Sequence, residues 1–125
     1  MISFDLLTFE DGSPIYIQIL RFVKRGIVSG SILDGDELPS RRVLSSRLGI
    51  NPNTVQKAYR ILEDEGLIES RSGAKSCMSL EPAEIERVRA ELVNSDILSV
   101  INALKQAGLS KGEALKIIEQ NWERM

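Results

Sequence analysis

Apolar residues at Ile15, Ile19, Phe22, Val23 and Ile27 recur at spacings of four, three, one and four, which puts them on one face of a helix. Ser13-Pro14 ahead of them combines a hydroxyl N-cap with proline at the first helical position, and Gly30 supplies a left-handed terminator. The spacing predicts a first helix over roughly residues 14–29, preceded by a short acidic stretch extended around Phe4-Asp5-Leu6-Leu7. After the turn signal Asp34-Gly35-Asp36, Ser40 caps a second, short helix over 41–48 with Val43, Leu44 and Leu48 as its apolar face. Gly49 closes it. Asn51-Pro52 repeats the cap-plus-proline grammar and opens a third helix with Val55, Ala58, Tyr59 and Leu62 inward and Gly66 at its end.

The joint between the second and third helices carries the most information. Gly49-Ile50-Asn51 is a connection of three residues, the length that holds two helices at roughly 90–120° in a helix-turn-helix. Glycine there allows positive φ, and the apolar residue behind it seals the corner. Beyond Gly66, Leu67-Ile68-Glu69-Ser70, a turn at 71–75 and Ser76-Cys77-Met78-Ser79-Leu80 read as a β-hairpin. Glu81-Pro82 then starts a long helix with Ile85, Val88, Leu92, Ile97, Val100, Ile101 and Leu104 apolar, its phase slipping near Asn94-Ser95-Asp96 at a bend or a change of face. Ala107-Gly108-Leu109 is a stop, and Ser110-Lys111-Gly112-Glu113 is a capping box for a last helix bearing Ala114, Leu115, Ile118 and Trp122. The fold class is therefore mainly α with a small β-hairpin. A winged helix-turn-helix domain spans 10–80, and a two-helix C-terminal segment spans 81–125.

Composition narrows the function. The 125 residues contain no histidine and one cysteine, Cys77, so the commonest general base, the commonest zinc ligand and any Cys/His nucleophile pair are missing. The carboxylate pairs Glu63/Glu65 and Glu84/Glu86 sit two apart on helices, where side chains diverge, and read as a solvated acidic face. No enzyme, no cofactor and no metal site is expected. A single cysteine, no signal-peptide pattern and no apolar run near the ~20 residues of a membrane span lead us to expect a cytoplasmic protein without a membrane partner.

The formal net charge of −2 conceals an uneven distribution. Residues 1–12 carry three acids and no base, residues 13–79 ten bases against seven acids, and residues 80–125 six against eight. The positive charge lies where the helix-turn-helix does, and it is the position of charge, not its total, that governs nucleic-acid affinity.

Three blocks then match a known pattern in order. They are Pro14-Ile15-Tyr16-Ile17-Gln18-Ile19, Gly35-Asp36-Glu37-Leu38-Pro39-Ser40-Arg41-Arg42, and the run from Leu48 through Asn51-Pro52-Asn53-Thr54-Val55-Gln56-Lys57-Ala58-Tyr59 to Leu62-Glu63-Asp64-Glu65-Gly66-Leu67-Ile68. Over roughly residues 10–79 the chain resembles the GntR family of bacterial repressors. The Asn51–Tyr59 run and the two-helix tail resemble its YtrA-like branch, where the tail is implied to be a dimerisation unit. The resemblance implies a DNA contact at Arg42. Arg41 stands where the family usually has Glu, Pro52 where several relatives have a base-reaching Arg, and Lys75 where the second glycine of a Gly-x-Gly wing tip is common, Gly73 matching the first.

The residue types agree with that implication. A recognition helix enters the major groove by its N-terminal turn, and Asn53, Thr54, Gln56 and Lys57 are hydrogen-bonding residues on the outward side there. Asn51 reads first as a cap. Arg41, Arg42, Arg71 and Lys75 are candidates for phosphates, and Gly73 for close approach at the wing. The expected partner is double-stranded DNA at a palindromic operator, bound by a homodimer and repressed by occupancy. The rival reading is a winged helix used only for protein contacts. Leu92, Ile101, Leu104, Leu115, Ile118 and Trp122 are the candidate dimer interface, because two short helices cannot bury so many apolar positions alone. Trp122 either anchors that interface or folds back on its own subunit. A small-molecule effector has no legible motif; the dimer interface and the Glu81-Pro82 joint are the two places with geometry for one.

Overall fold

The computed structural model describes residues 1–71 and 75–125. In chain order its elements are α1 (Ile15–Ser29), β1 (Glu37–Leu38), α2 (Arg41–Leu48), α3 (Pro52–Asp64), β2 (Ile68–Arg71), β3 (Lys75–Met78), α4 (Pro82–Gln106) and α5 (Lys111–Trp122). Two compact units result, Met1–Arg89 and Ala90–Met125, the division falling within α4.

In the first unit α1 and α2 both pack on α3. Ile19, Val23 and Ile27 of α1, Leu44 of α2, and Val55, Ala58, Tyr59 and Leu62 of α3 are buried together with Leu67, Ile68 and Met78. Burying an aliphatic side chain of this size contributes about 1.5–3 kcal/mol, so the apolar periodicity of the three helices is the main source of cohesion. Gly26 sits where α1 meets the following loop: a Cβ there would lie 2.5 Å from Ile32 Cδ1. The unit also takes in residues 1–9, since Ile2 and Phe4 are buried, Ile2 N–H donates to the Glu37 carbonyl at 2.8 Å, and Phe4 meets Phe22 with ring centroids 5.2 Å apart.

The sheet has three antiparallel strands in the order β1-β3-β2, one more than the hairpin expected. β1 is only two residues long, too short for an alternation to show, and pairs Glu37 with Cys77 and Leu38 with Ser76. β2 and β3 pair from Ile68↔Met78 to Arg71↔Lys75.

Several local expectations change. Ser13 does not cap α1; Pro14 occupies the cap position without a side-chain bond, and Gln18 turns back to receive the Glu10 N–H and to donate to the Glu10 and Ser13 carbonyls at 2.9–3.0 Å. Val43 is exposed, because α2 presents Leu44 and Ser45 to the interior instead. Glu65 is no part of a solvated face: its carboxylate meets the buried Lys24 ammonium at 3.1 Å and ties the end of α3 to α1. Arg87 donates to the Glu65 carbonyl at 2.8 Å, so the same helix end is held twice.

α4 is one uninterrupted helix, and the slip at 94–96 is a change of face. Val88 and Leu92 are buried, whereas Val93, Ile97, Val100 and Ile101 are exposed and fall roughly a quarter to a half turn away at the helical period. In the second unit Ser110 and Glu113 form the expected capping box, which holds the Glu113 carboxyl below the usual carboxylate range. Leu115, Ile117, Ile118 and Trp122 of α5 are all exposed. No helix among the described residues is long and apolar enough to cross a membrane.

Candidate nucleic-acid interface

The corner between α2 and α3 is built almost wholly from local bonds. Gly49 takes the left-handed conformation with φ of 67°, which its missing Cβ permits. The Ile50 N–H donates to the Ser45 carbonyl at 3.1 Å, and the buried Ser45 hydroxyl donates to the Ile50 carbonyl at 2.8 Å. Asn51 Oδ1 accepts the Asn53 N–H at 2.8 Å, so this amide oxygen is committed to capping α3 and is not available to a base. Pro52 occupies the first helical position.

Tyr59 then locks the pair of helices. Its ring is fully buried and its hydroxyl donates to the Pro39 carbonyl at 2.7 Å, joining α3 to the segment that leads into α2. Burial pushes the Tyr59 phenol far above its ordinary value, the nearby Arg41 charge offsetting this only in part. The phenol therefore stays a neutral donor across the whole physiological range. A buried hydrogen bond of this kind adds about 1 kcal/mol, and an orphaned carbonyl in its place would cost about 1–3 kcal/mol.

The outward side of α3 is what this corner presents. Asn53 and Lys57 are exposed there, Thr54 and Gln56 half-buried. Asn53, Gln56 and the exposed Arg60 stand at i, i+3 and i+7, one continuous row along the helix. The sequence reading missed Arg60 because it stopped one turn into the helix; the row spacing was the available signal. Lys57 leans off the row, with its ammonium 4.0 Å from the centroid of the Tyr16 ring on α1. Tyr16 was likewise overlooked.

The two arginines that begin α2 separate. Arg42 is exposed beside the helix N-terminus, where unpaired N–H groups favour an anion. Arg41 is half-buried with its guanidinium 5.2 Å from the Tyr59 ring centroid, and its Nε is buried without a partner among the described residues. Its first task is to cover Tyr59.

On the wing, Arg71 and Lys75 face each other across the β2–β3 pairing, an arrangement of like charges that is unfavourable by itself. Glu69 relieves it with a 2.8 Å ion pair to Arg71, but both partners are more than half exposed. Such a pair is worth about 0–1 kcal/mol, so a phosphate can replace the carboxylate at little cost. Gly73 lies outside the described residues.

In the second unit, an apolar groove of about 470 Å³ runs between the end of α4 and α5. Ile101, Leu104, Leu109, Leu115 and Ile118 line it, with Lys105 and Lys111 at its edge. Trp122 is 75 % exposed and does not fold back on its own subunit. Leu92 is buried within the single chain and has little surface to give a second one.

Comparison with known proteins brings the two halves together. The model of the bacterial regulatory proteins of the gntR family matches residues 7–75. The HTH-type transcriptional repressor YtrA of Bacillus subtilis (strain 168) is 38% identical over 97 residues, which cover 78% of this chain and 70% of that protein. The structure of a GntR family transcriptional regulator from Listeria monocytogenes superposes with a TM-score of 0.76 at 28% identity, over 90% of this chain and 98% of that one. The DNA-binding domain of AraR in complex with operator ORX1 is similar over 58% of this chain and 93% of its own, with a TM-score of 0.50 and 26% identity.

Proposed function

This chain belongs to the GntR family of bacterial regulatory proteins, on its YtrA-like branch, and on that premise we propose that it represses transcription as a homodimer bound to a palindromic operator. It is a winged helix-turn-helix transcriptional regulator and not an enzyme. The observation that carries the finer reading is the row Asn53, Gln56 and Arg60 on the open side of α3, with no apolar residue among them.

Amides can accept and donate at once, which suits the adjacent acceptor and donor of an adenine edge, and arginine suits guanine. Thr54 flanks the row and serves a base or a phosphate. Arg42, Lys57, Arg71 and Lys75 supply positive charge on either side for the backbone, with Arg41 contributing its charge from beneath. The segment 10–80 acts as the DNA-binding domain and 81–125 as the dimerisation segment. Ile101, Leu104, Leu115, Ile118 and Trp122 form the shared face; the exposure of four of them in the single chain supports this assignment. AraR's structure on an operator supports DNA as the partner.

Salt dependence tests the reading. Affinity should fall linearly on a log–log scale, with a slope of about −0.9 for each phosphate neutralised. Four backbone-facing cations per subunit predict a steep fall between about 50 and 200 mM salt. Binding that ignores salt, or that is equal on any duplex, would contradict it.

A further inference from the structure

We propose that Tyr16 is a positioning residue that holds Lys57 against the flank of α1, so that Lys57 grips a phosphate and takes no part in base reading. This rests on the DNA-binding reading above and assigns a residue that lies outside the recognition helix.

The geometry makes the case. Lys57 follows Asn53 by four residues and would, if extended outward, project alongside it into a groove. Instead its Nζ sits 4.0 Å from the Tyr16 ring centroid, on the π face where the ring quadrupole attracts a cation. Tyr16 is half-buried in the first turn of α1, a helix packed on α3, so its ring has a fixed place. That first turn contains no acidic residue to draw the ammonium elsewhere. The ammonium is thus displaced from the Asn53–Gln56–Arg60 row toward the edge of the reading surface, where a DNA strand's backbone passes when α3 lies in the groove.

Lysine is also suited to that task. Its ammonium is a compact point charge without the planar fork that fits a base edge in two places. A free lysine loses much rotamer freedom when it meets a phosphate, and the Tyr16 ring removes part of that loss in advance.

The test is a double-mutant cycle on the full chain, using an operator duplex selected from a random pool and a random duplex of equal length. Lys57→Ala should weaken both by the same factor and make the salt slope shallower by about 0.9. Tyr16→Leu should weaken both about two- to fivefold, the range of a cation–π contact, but only when Lys57 is present. Tyr16→Phe keeps the ring and should bind as the parent does. Thermal melting of each variant separates lost folding from lost contact.

The proposal is overturned if Tyr16→Leu weakens binding equally with and without Lys57, or if Lys57→Ala changes the ratio of operator to random affinity. A parent chain that binds neither duplex would instead overturn the DNA-binding reading, so the two failures are distinct.

Discussion

Deleting residues 110–125 should convert the protein to monomers and lower operator affinity by about 10²–10⁴-fold, the span by which linked binding exceeds that of one module. The deletion removes the capping box, all of α5 and with them Leu115, Ile118 and Trp122. In the single chain these three are exposed, and a water-facing apolar strip of this kind marks a surface that gains stability when something covers it. On the proposed reading the partner is a second copy, and a two-fold contact then needs one patch serving both sides. Acidic Glu119 on α5 and Glu123 just past its end, with basic Lys105 and Lys111 at the groove edge, give that patch both signs of charge. The core of the first unit is untouched by the deletion, so its melting transition should survive. A truncated chain that still sediments as a dimer and binds normally would place the interface elsewhere.

Replacing Asn53 and Gln56 together by alanine should cost at least about 30-fold in operator affinity, since a well-placed bidentate amide discriminates by about 1–3 kcal/mol and two are removed. Random duplex should lose less than about threefold, because the backbone contacts proposed for Arg42, Lys57, Arg71 and Lys75 are untouched. Both side chains face away from the core formed by Val55, Ala58, Tyr59 and Leu62, so the fold should be unaffected. Asn51 is the internal control. Its amide caps α3, and Asn51→Ala should register as a loss of about 1 kcal/mol in stability with operator specificity retained. Equal losses on both duplexes after the Asn53/Gln56 replacement would show that specificity lies elsewhere.

Much of this architecture could be read before any coordinates. Long helices with a wide apolar stripe announce both their period and their inward face, as Val55, Ala58, Tyr59 and Leu62 did in α3. The caps at Ser40, Asn51 and Ser110 were legible because each is a local bond between a side chain and the backbone two or three residues on. The misses have a common cause in contacts between residues distant in sequence. β1 exists only because β3 pairs with it, and Glu65 is drawn inward by Lys24, forty-one residues earlier. Ser13 yields the cap position of α1 to Pro14, and the Gln18 side chain reaches back to bind the Glu10 backbone and the Ser13 carbonyl.

The same distinction holds at the interface. Asn53 and Gln56 could be named from helical phase, and Arg42 from the family resemblance. Arg41 could not be told from Arg42 by sequence, since only the packed Tyr59 ring shows that one guanidinium turns inward while its neighbour stays exposed. Tyr16 carried no signal either. It reads as an ordinary half-buried position of α1 until α3 brings Lys57 over its ring.

On the proposed function, this chain reads a specific two-fold DNA sequence through the outer row of α3. Selection of bound duplexes from a random pool by the full-length protein tests it most directly. The selection should enrich an inverted repeat whose half-sites lie about one helical turn apart, roughly 10–10.5 bp centre to centre, or a multiple of it. Enrichment of a single unrepeated site, or of no sequence at all, would contradict it.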